Sequence, residues 1–250
     1  MYLQRDQTAE GHELNMGMVF FVLGLVFGSF INVLIWRIPR RESIVFPGSH
    51  CPDCGKTLSA RELIPVVSYL IQKGKCIHCG RRISWQYPAV ELITAVGFAF
   101  YQWREPSWAA LVSKLILFSL LIVAAAIDLR HKRLPNVITI PGMVLGMILA
   151  FAGWSVPIGS SLLGLMVSGG LLMAIALLTK GMGMGDVKLA ALIGAFIGPW
   201  PALASIFIAS LAGAVVGSIY LLITKQGRKT PIPFGPFLAF GALIGSEIFL

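Results

Sequence analysis

The chain has 250 residues, of which 56% are hydrophobic and 12% charged, and its mean hydropathy is +0.81. Soluble domains carry about 25% charged residues, so this composition excludes an ordinary water-soluble protein and indicates a polytopic membrane protein. The net charge of +9 would suit nucleic-acid binding. However, the basic residues are distributed as in membrane-protein loops, as shown below, and no nucleic-acid partner is predicted.

Eight apolar runs follow a polar N-terminal tail, residues 1–15. Runs of about 20 apolar residues are long enough to cross a bilayer as helices. The predicted transmembrane helices are 16–36, 87–103, 108–127, 135–153, 157–179, 187–200, 203–224 and 234–250. The sixth run is short and ends in Gly198-Pro199-Trp200-Pro201, so its boundary with the seventh is open. The predicted fold class is an all-α polytopic membrane protein, in which residues 87–250 form a seven-helix domain.

The basic residues predict the orientation of these helices. If the N-terminus is outside, four inner segments contain seventeen of the twenty Lys and Arg residues: 37–86, 128–134, 180–188 and 225–233. Cytoplasmic loops of membrane proteins carry such an excess of positive charge. Small residues spaced four apart, such as Gly24/Gly28 and Ala190/Gly194/Gly198, are expected to let the helices pack closely.

The segment 37–86, between the first two predicted helices, contains all four cysteines. Cys51-Pro-Asp-Cys54 and Cys76-Ile-His-Cys79 are separated by 21 residues. Two such pairs can supply four thiolates to one tetrahedral zinc ion, which would stabilise a module too small for a large core. A redox pair and reduced cysteines without metal are the alternatives, and a structural disulfide is disfavoured in the cytoplasm. We therefore predict a small cytoplasmic module with structural Zn²⁺.

Two carboxylates lie at the predicted cytoplasmic ends of apolar runs. Asp128 ends the third run and Asp186 begins the sixth. Ionisable groups at membrane depth are costly and are therefore functional candidates. Alternatively, Asp186 could cap a helix, and Asp128 could pair with Arg130 or Arg133. Together the two aspartates match the needs of an aspartyl protease, in which one carboxylate takes a proton from water while the other polarises the scissile carbonyl.

Glycines precede Asp186 in GMGMGDVKLA, residues 181–190. We expect Gly183 and Gly185 to leave room for an extended substrate backbone and to permit unusual backbone angles at the helix entry. A further carboxylate, Glu247, lies near the C-terminus and is expected to be solvated.

These motifs resemble the type IV prepilin peptidases, membrane aspartyl proteases with a G-x-G-D motif. Gly183-Met184-Gly185-Asp186 matches that motif, and Asp128 stands at the place of the family's first aspartate, before a basic loop with Leu134-Pro135-Asn136. Four more segments are similar to family segments in the same order: GSFINVLIWRIP (28–39), PGSHCPDCGKTLS (47–59), IPVVSYLIQKGKCIHCGRRISWQYPAVELIT (64–94) and PFGPFLAFGAL (233–243). The resemblance covers nearly the whole chain.

The resemblance implies a bifunctional enzyme of the bacterial inner membrane. Asp128 and Asp186 would remove the leader of prepilins or pseudopilins at the cytoplasmic face, and the new N-terminal residue would then be methylated with S-adenosylmethionine. The sequence has no glycine-rich loop of Rossmann type, so methyl transfer is implied by the resemblance alone. Glu91 is a candidate for orienting the substrate amine. Alternatively, it is a helix-start carboxylate that pairs with Arg81 or Arg82.

Two other functions use the same residues. A proton-coupled transporter would use Asp128 and Asp186 as relay carboxylates, but it is expected to have acidic residues near mid-membrane and repeated halves. A membrane thiol oxidoreductase would use the cysteine pairs, but it needs them near an oxidising face. The two aspartates lie at one predicted membrane edge and the cysteines in a predicted cytoplasmic segment, so the prepilin peptidase is the predicted function.

Overall fold

The computed structural model describes residues 3–179, 182–224 and 233–249, which are mostly helical. The α-helices are α1 (Leu3–Arg37), α2 (Val67–Ile71), α3 (Gln86–Arg104), α4 (Trp108–His131), α5 (Asn136–Phe151), α6 (Ile158–Thr179), α7 (Met184–Ile197), α8 (Pro199–Thr224) and α9 (Gly235–Ile248). Short 3-10 helices occupy Ile38–Arg40 and Ala60–Leu63. The predicted all-helical fold is confirmed.

Within the described residues, four stretches are long and apolar enough to cross a membrane: Asn15–Arg40, Trp108–His131, Ile158–Thr179 and Pro199–Tyr220. Helices α5, α7 and α9 are shorter, with 16, 14 and 14 residues. A membrane protein is therefore supported by composition and by these four helices, while the predicted count of eight spans stays a prediction.

Several predicted helix boundaries differ from the structure. Helix α1 already begins at Leu3, so the described part of the predicted polar tail forms its first turns. The open boundary between the sixth and seventh runs falls at Gly198, whose φ of +81° ends α7. Helix α8 starts immediately afterwards with Pro199. Proline suits the first position of a helix, because the N–H that it lacks would be unpaired there.

The chain divides into two compact units, residues 1–111 and 112–250. In the first unit α1 and α3 pack antiparallel through small residues. A Cβ added to Gly24 would lie 2.5 Å from Cα of Ala95, and one added to Gly28 would lie 2.6 Å from Cα of Glu91. The close packing predicted for Gly24 and Gly28 is therefore confirmed.

In the second unit α7 is the most buried helix, since nine of the ten residues from Val187 to Phe196 are buried. It packs antiparallel to α6, where a Cβ on Gly164 or Gly194 would meet the backbone of the other helix. The hydroxyl of Ser168 adds a hydrogen bond of 2.8 Å to the carbonyl of Ala190. The first turn of α7 thus continues into a buried, closely packed helix.

Candidate functional site

Asp128 lies in the last turns of α4 and is only 4% exposed. Its Oδ2 accepts a hydrogen bond of 2.9 Å from the backbone N–H of Gly235, the first residue of α9. Arg130 and Arg133 are exposed, and neither forms an ion pair with Asp128 in the described part of the chain. The alternative in which an arginine neutralises Asp128 is therefore wrong for this structure.

Asp186 lies in the first turn of α7, three residues after the N-cap residue Gly183. Its own N–H donates to the carbonyl of Gly183 at 3.1 Å, and its side chain does not cap the helix. The helix-cap alternative is thus wrong, because α7 begins before the predicted span 187–200. The charges of Asp186 and Asp128 interact electrostatically.

The start of α7 packs against the segment that joins α4 to α5. A Cβ added to Gly185 would lie 2.8 Å from Cβ of Leu134. One turn further along, Nζ of Lys188 donates to Oδ1 of Asn136 at 2.8 Å. Three chain segments therefore meet around the aspartates: the α4–α5 junction, the start of α7 and the start of α9.

The backbone conformation predicted for Gly183 and Gly185 differs from the one in the structure. Gly183 has an ordinary extended conformation, with φ of −77°, and Gly185 lies within the helix and has no positive φ. The special backbone angles expected at these two positions are therefore absent. Gly185 is instead required for the close approach of Leu134, whereas a Cβ on Gly183 would make only an ordinary contact of 3.5 Å with Asp186. Gly181 lies outside the described residues.

The sequence motifs did not identify three residues of this site, which are Gly235, Asn136 and Lys188. The sequence signal for Gly235 is a Gly-Pro pair at the start of an apolar run, and that signal predicts only a helix start. Its contact with Asp128 joins residues 107 apart in the chain. Such a pairing is a tertiary feature that local sequence patterns do not encode.

The four cysteines form a second candidate site. The Sγ atoms of Cys51, Cys54, Cys76 and Cys79 all lie within 4.8 Å of one another, and all four cysteines are free. The Sγ atoms of Cys51 and Cys79 are 3.9 Å apart. Tetrahedral zinc with Zn–S bonds of about 2.3 Å requires sulfur atoms about 3.8 Å apart. The donor set and its spacing therefore fit a closed tetrathiolate metal site.

The two cysteine pairs share one backbone geometry. The N–H of Gly55 donates to the carbonyl of Cys51 at 2.9 Å, and the N–H of Gly80 donates to the carbonyl of Cys76 at 2.8 Å. Both glycines have positive φ, +69° and +70°, a conformation that glycine adopts without steric cost in a tight turn. His78 lies beside the cluster but bonds to Glu62 at 3.0 Å. Four thiolates complete the site without a histidine.

Glu91 is buried in α3, with 7% exposed. Its Oε2 accepts a hydrogen bond of 2.7 Å from the backbone N–H of Val66, which belongs to the segment between the cysteine pairs. The predicted alternative partner Arg81 instead lies 3.4 Å from Asp53. In the described residues Glu91 forms no ion pair with Arg81 or Arg82, so that alternative is wrong.

The two halves of the chain match two protein families. Residues 22–105, which include the cysteines and Glu91, match the Bacterial Peptidase A24 N-terminal domain. Residues 115–218, which include both aspartates, match the Type IV leader peptidase family. No solved structure matches this chain.

Curated relatives cover nearly the whole chain. The prepilin leader peptidase/N-methyltransferase of Bacillus subtilis is 39% identical over 90% of this chain and 92% of the relative. The type 4 prepilin-like proteins leader peptide-processing enzyme of an enterotoxigenic Escherichia coli is 37% identical over 91% and 92%. The prepilin leader peptidase/N-methyltransferase of Pseudomonas aeruginosa is 35% identical over 93% and 90%.

Proposed function

Because the chain belongs to the type IV leader peptidase family, we propose that it is a prepilin leader peptidase and N-methyltransferase. It removes the leader of prepilins or pseudopilins at the cytoplasmic face of the bacterial inner membrane. It then methylates the new N-terminal amine with S-adenosylmethionine as the methyl donor. The observation that carries the proposal is the pair of interacting carboxylates, Asp128 and Asp186, within the part that matches the peptidase family.

Peptide hydrolysis in this proposal uses Asp128 and Asp186 as a dyad that shares one proton. The ionised carboxylate takes a proton from the attacking water, and the protonated carboxyl polarises the scissile carbonyl. The titration belongs to the pair rather than to either residue. The N–H of Gly235 holds the Asp128 carboxylate in one orientation. The packing of Gly185 on Leu134 fixes the first turn of α7, which carries Asp186.

The proposed membrane arrangement has eight spanning helices, α1 and α3–α9, with the N-terminus outside. Residues 37–86 then form a cytoplasmic module, and residues 87–250 form the peptidase domain. In this arrangement successive helices cross the membrane in opposite directions, and the relative directions of the packed helices support it. Helix α5 runs parallel to α7, since Gly142 lies against Leu192 and Gly146 against Phe196, whereas α6 runs antiparallel to α7. With this arrangement the end of α4 and the starts of α7 and α9 share the cytoplasmic side.

The four cysteines would hold Zn²⁺ in a structural site. When bound, the ion would cross-link the two cysteine pairs. With four protein ligands it would have no open coordination position for chemistry. The module has few buried apolar side chains of its own, and Cys51 and Cys76 are among its buried residues. Metal binding would therefore supply folding free energy that a small core does not provide.

Methyl transfer is proposed because relatives of this chain are N-methyltransferases as well as leader peptidases by name. The described residues form no β-sheet beyond two isolated bridges, His50–Thr57 and Lys75–Arg82, so they contain no Rossmann-type nucleotide fold. We retain Glu91 as the candidate that orients the substrate amine. Its carboxylate also holds the backbone at Val66, so it couples α3 to the segment between the cysteine pairs.

The test is to incubate the purified, reconstituted protein with a prepilin and S-adenosylmethionine and to measure the mass of the product. The proposal predicts loss of the leader followed by a gain equal to one methylene group. An unchanged prepilin mass, with a correctly inserted protein, would overturn the peptidase assignment. Loss of the leader without the later mass gain would overturn only the methyltransferase part.

A further inference from the structure

An apolar stretch lies within the segment that the charge pattern assigns to the cytoplasm. Residues 63–71, LIPVVSYLI, form a turn followed by α2, and we call them the apolar turn. Leu70 is 67% exposed and Ile71 is 76% exposed, and Val67 and Ile64 are about half exposed. Contiguous apolar side chains that face outward mark an interaction surface, because contact with water is unfavourable.

The apolar turn is attached to the helices of the first unit. The N–H of Val66 donates to the carboxylate of Glu91 at 2.7 Å, and Glu91 lies in the second turn of α3. On the other side Glu91 packs against Gly28 of α1. Gly28 precedes the end of α1 at Arg37 by nine residues, about 13 Å along the axis at 1.5 Å per residue. Val66 is thus held, through Glu91, at the depth of Gly28, which lies inside a candidate membrane span, Asn15–Arg40.

Its backbone is strained and internally bonded there. Val66 has φ of +61°, which is unusual for a β-branched residue, and the N–H of Val67 donates to the carbonyl of Pro65 at 2.6 Å. Backbone groups at membrane depth must find partners within the protein. Glu91 and Pro65 provide those partners for two successive N–H groups.

Basic residues flank the apolar turn on both sides. Arg61 precedes it and Lys73 and Lys75 follow it, and all three side chains are exposed. Lysine and arginine beside an apolar membrane segment favour anionic headgroups. The order basic, apolar, basic is the pattern of a segment that lies in the plane of a membrane interface.

We propose that the apolar turn is an interfacial membrane anchor, with Leu70 and Ile71 in the acyl region of the cytoplasmic leaflet and Arg61, Lys73 and Lys75 on anionic headgroups. This inference rests on the proposed membrane placement of α1 and α3. The anchor holds the cysteine module against the bilayer rather than leaving it free in the cytoplasm. The occupant of the surface is the lipid bilayer, and not the prepilin or a second copy of the chain.

Site-specific photocrosslinking of the full-length protein in lipid nanodiscs tests this inference. The variants are Leu70→p-benzoylphenylalanine and Ile71→p-benzoylphenylalanine. Val96, which is 60% exposed on α3, is the lipid-facing control, and Lys56, exposed beside the first cysteine pair, is the control for the rest of the module. After irradiation, intact mass spectrometry detects a mass gain equal to one phospholipid.

We expect lipid adducts at Leu70 and Ile71 in a yield comparable with that at Val96, and none at Lys56. Absence of lipid adducts at both positions, with normal adducts at Val96, would overturn the inference. Crosslinks to added prepilin or to a second chain in place of lipid would also overturn it.

The headgroup contact is tested by adding Lys73→Gln and Lys75→Gln to the Ile71 photocrosslinking variant. In nanodiscs of mixed phosphatidylcholine and phosphatidylglycerol, the share of phosphatidylglycerol adducts should fall; an unchanged share would contradict the role of the two lysines. Leader cleavage is measured on the unsubstituted protein from the same preparation. Failure of that cleavage would contradict the proposed function, whereas cleavage without lipid adducts would contradict only the anchor.

Discussion

The backbone N–H of Gly235 lies 2.9 Å from Oδ2 of Asp128 and donates a hydrogen bond to it. Gly235 begins α9, and the N-terminal end of a helix carries partial positive charge that favours a nearby carboxylate. The first turn of α9 is therefore part of the aspartate site, although it belongs to neither aspartate motif. Its contribution is to orient a buried carboxylate within the proposed dyad.

The variant Gly235→Ala should lower the rate of leader cleavage. The added Cβ would lie 2.8 Å from Oδ2 of Asp128, so either α9 or the carboxylate must move. Displacement of a catalytic group by about 1 Å can cost on the order of 100-fold in rate. The matched control is Gly170→Ala in α6, where a Cβ meets no atom within 4 Å. Equal cleavage by both variants, measured as kcat/KM on a prepilin, would show that the Gly235 contact is not needed.

The two glycines of the G-x-G-D motif should differ in their tolerance of alanine. Gly185→Ala places a Cβ 2.8 Å from Cβ of Leu134, a part of the side chain that cannot swing away, whereas Gly183→Ala makes a contact of 3.5 Å. We therefore expect Gly185→Ala to lower both thermal stability and cleavage, and Gly183→Ala to retain more of each. A double variant, Gly185→Ala/Leu134→Gly, removes the Cβ that the new methyl group would meet and should recover part of the loss. The steric account fails if Gly183→Ala is the more damaging of the two single variants.

Purified protein should contain about one zinc ion per chain, because four thiolates within one cluster match one tetrahedral site. Replacing Cys51, Cys54, Cys76 or Cys79 by serine should lower the zinc content and loosen the module. Methylation should be reduced more than cleavage, since the aspartates belong to the other half of the sequence. Elemental analysis measures the metal. Full zinc occupancy in Cys51→Ser/Cys76→Ser would show that the cluster is not the site.

Glu91→Gln should leave cleavage normal and reduce methylation. The glutamine carbonyl can still accept the hydrogen bond from Val66, so the variant removes the charge and keeps the contact at 2.7 Å. A free α-amine has a pKa near about 8, so only modest assistance is needed to present it in the neutral form. Glu91→Ala, which removes both charge and contact, separates the two roles. Normal methylation by Glu91→Gln with a defect in Glu91→Ala would assign Glu91 a purely structural role.

The helices and the cysteine module were predictable from the sequence because their signals are local. Apolar runs separated by turn residues predict helices. Two pairs of cysteines at this spacing predict a cluster, and that prediction does not depend on the rest of the fold. The start of α7 was missed by three residues. The apolar run begins after Asp186, but the helix begins at Met184, and its first turn packs at Gly185 on Leu134.

Contacts between distant segments were not predictable. Glu247 was expected to be solvated, yet it lies 3.1 Å from Nζ of Lys114, and both side chains are largely buried. The two residues are 133 positions apart, and each alone is an isolated charge near a helix end. A buried charge requires a partner, but the sequence does not say which one. The same holds for Asp128, whose partner is a backbone N–H rather than a nearby arginine.

The two reactions should be separable at Asp186. Asp186→Asn is expected to fail on uncut prepilin but to methylate a synthetic peptide that already carries the mature N-terminus, because that substrate bypasses proteolysis. Methylation of this peptide also shows that the variant is folded. If folded Asp186→Asn does not methylate it, the two activities share residues.

The central claim, that Asp128 and Asp186 form the proteolytic dyad, is tested most directly by mass spectrometry of a prepilin incubated with Asp128→Asn or Asp186→Asn. An amide cannot take a proton from water, so each substitution removes a function that the other aspartate cannot replace. With protein of unaltered insertion and stability, the account predicts that the full prepilin mass persists for both variants while the unsubstituted protein removes the leader. Leader removal at a near-normal rate by either variant would contradict it.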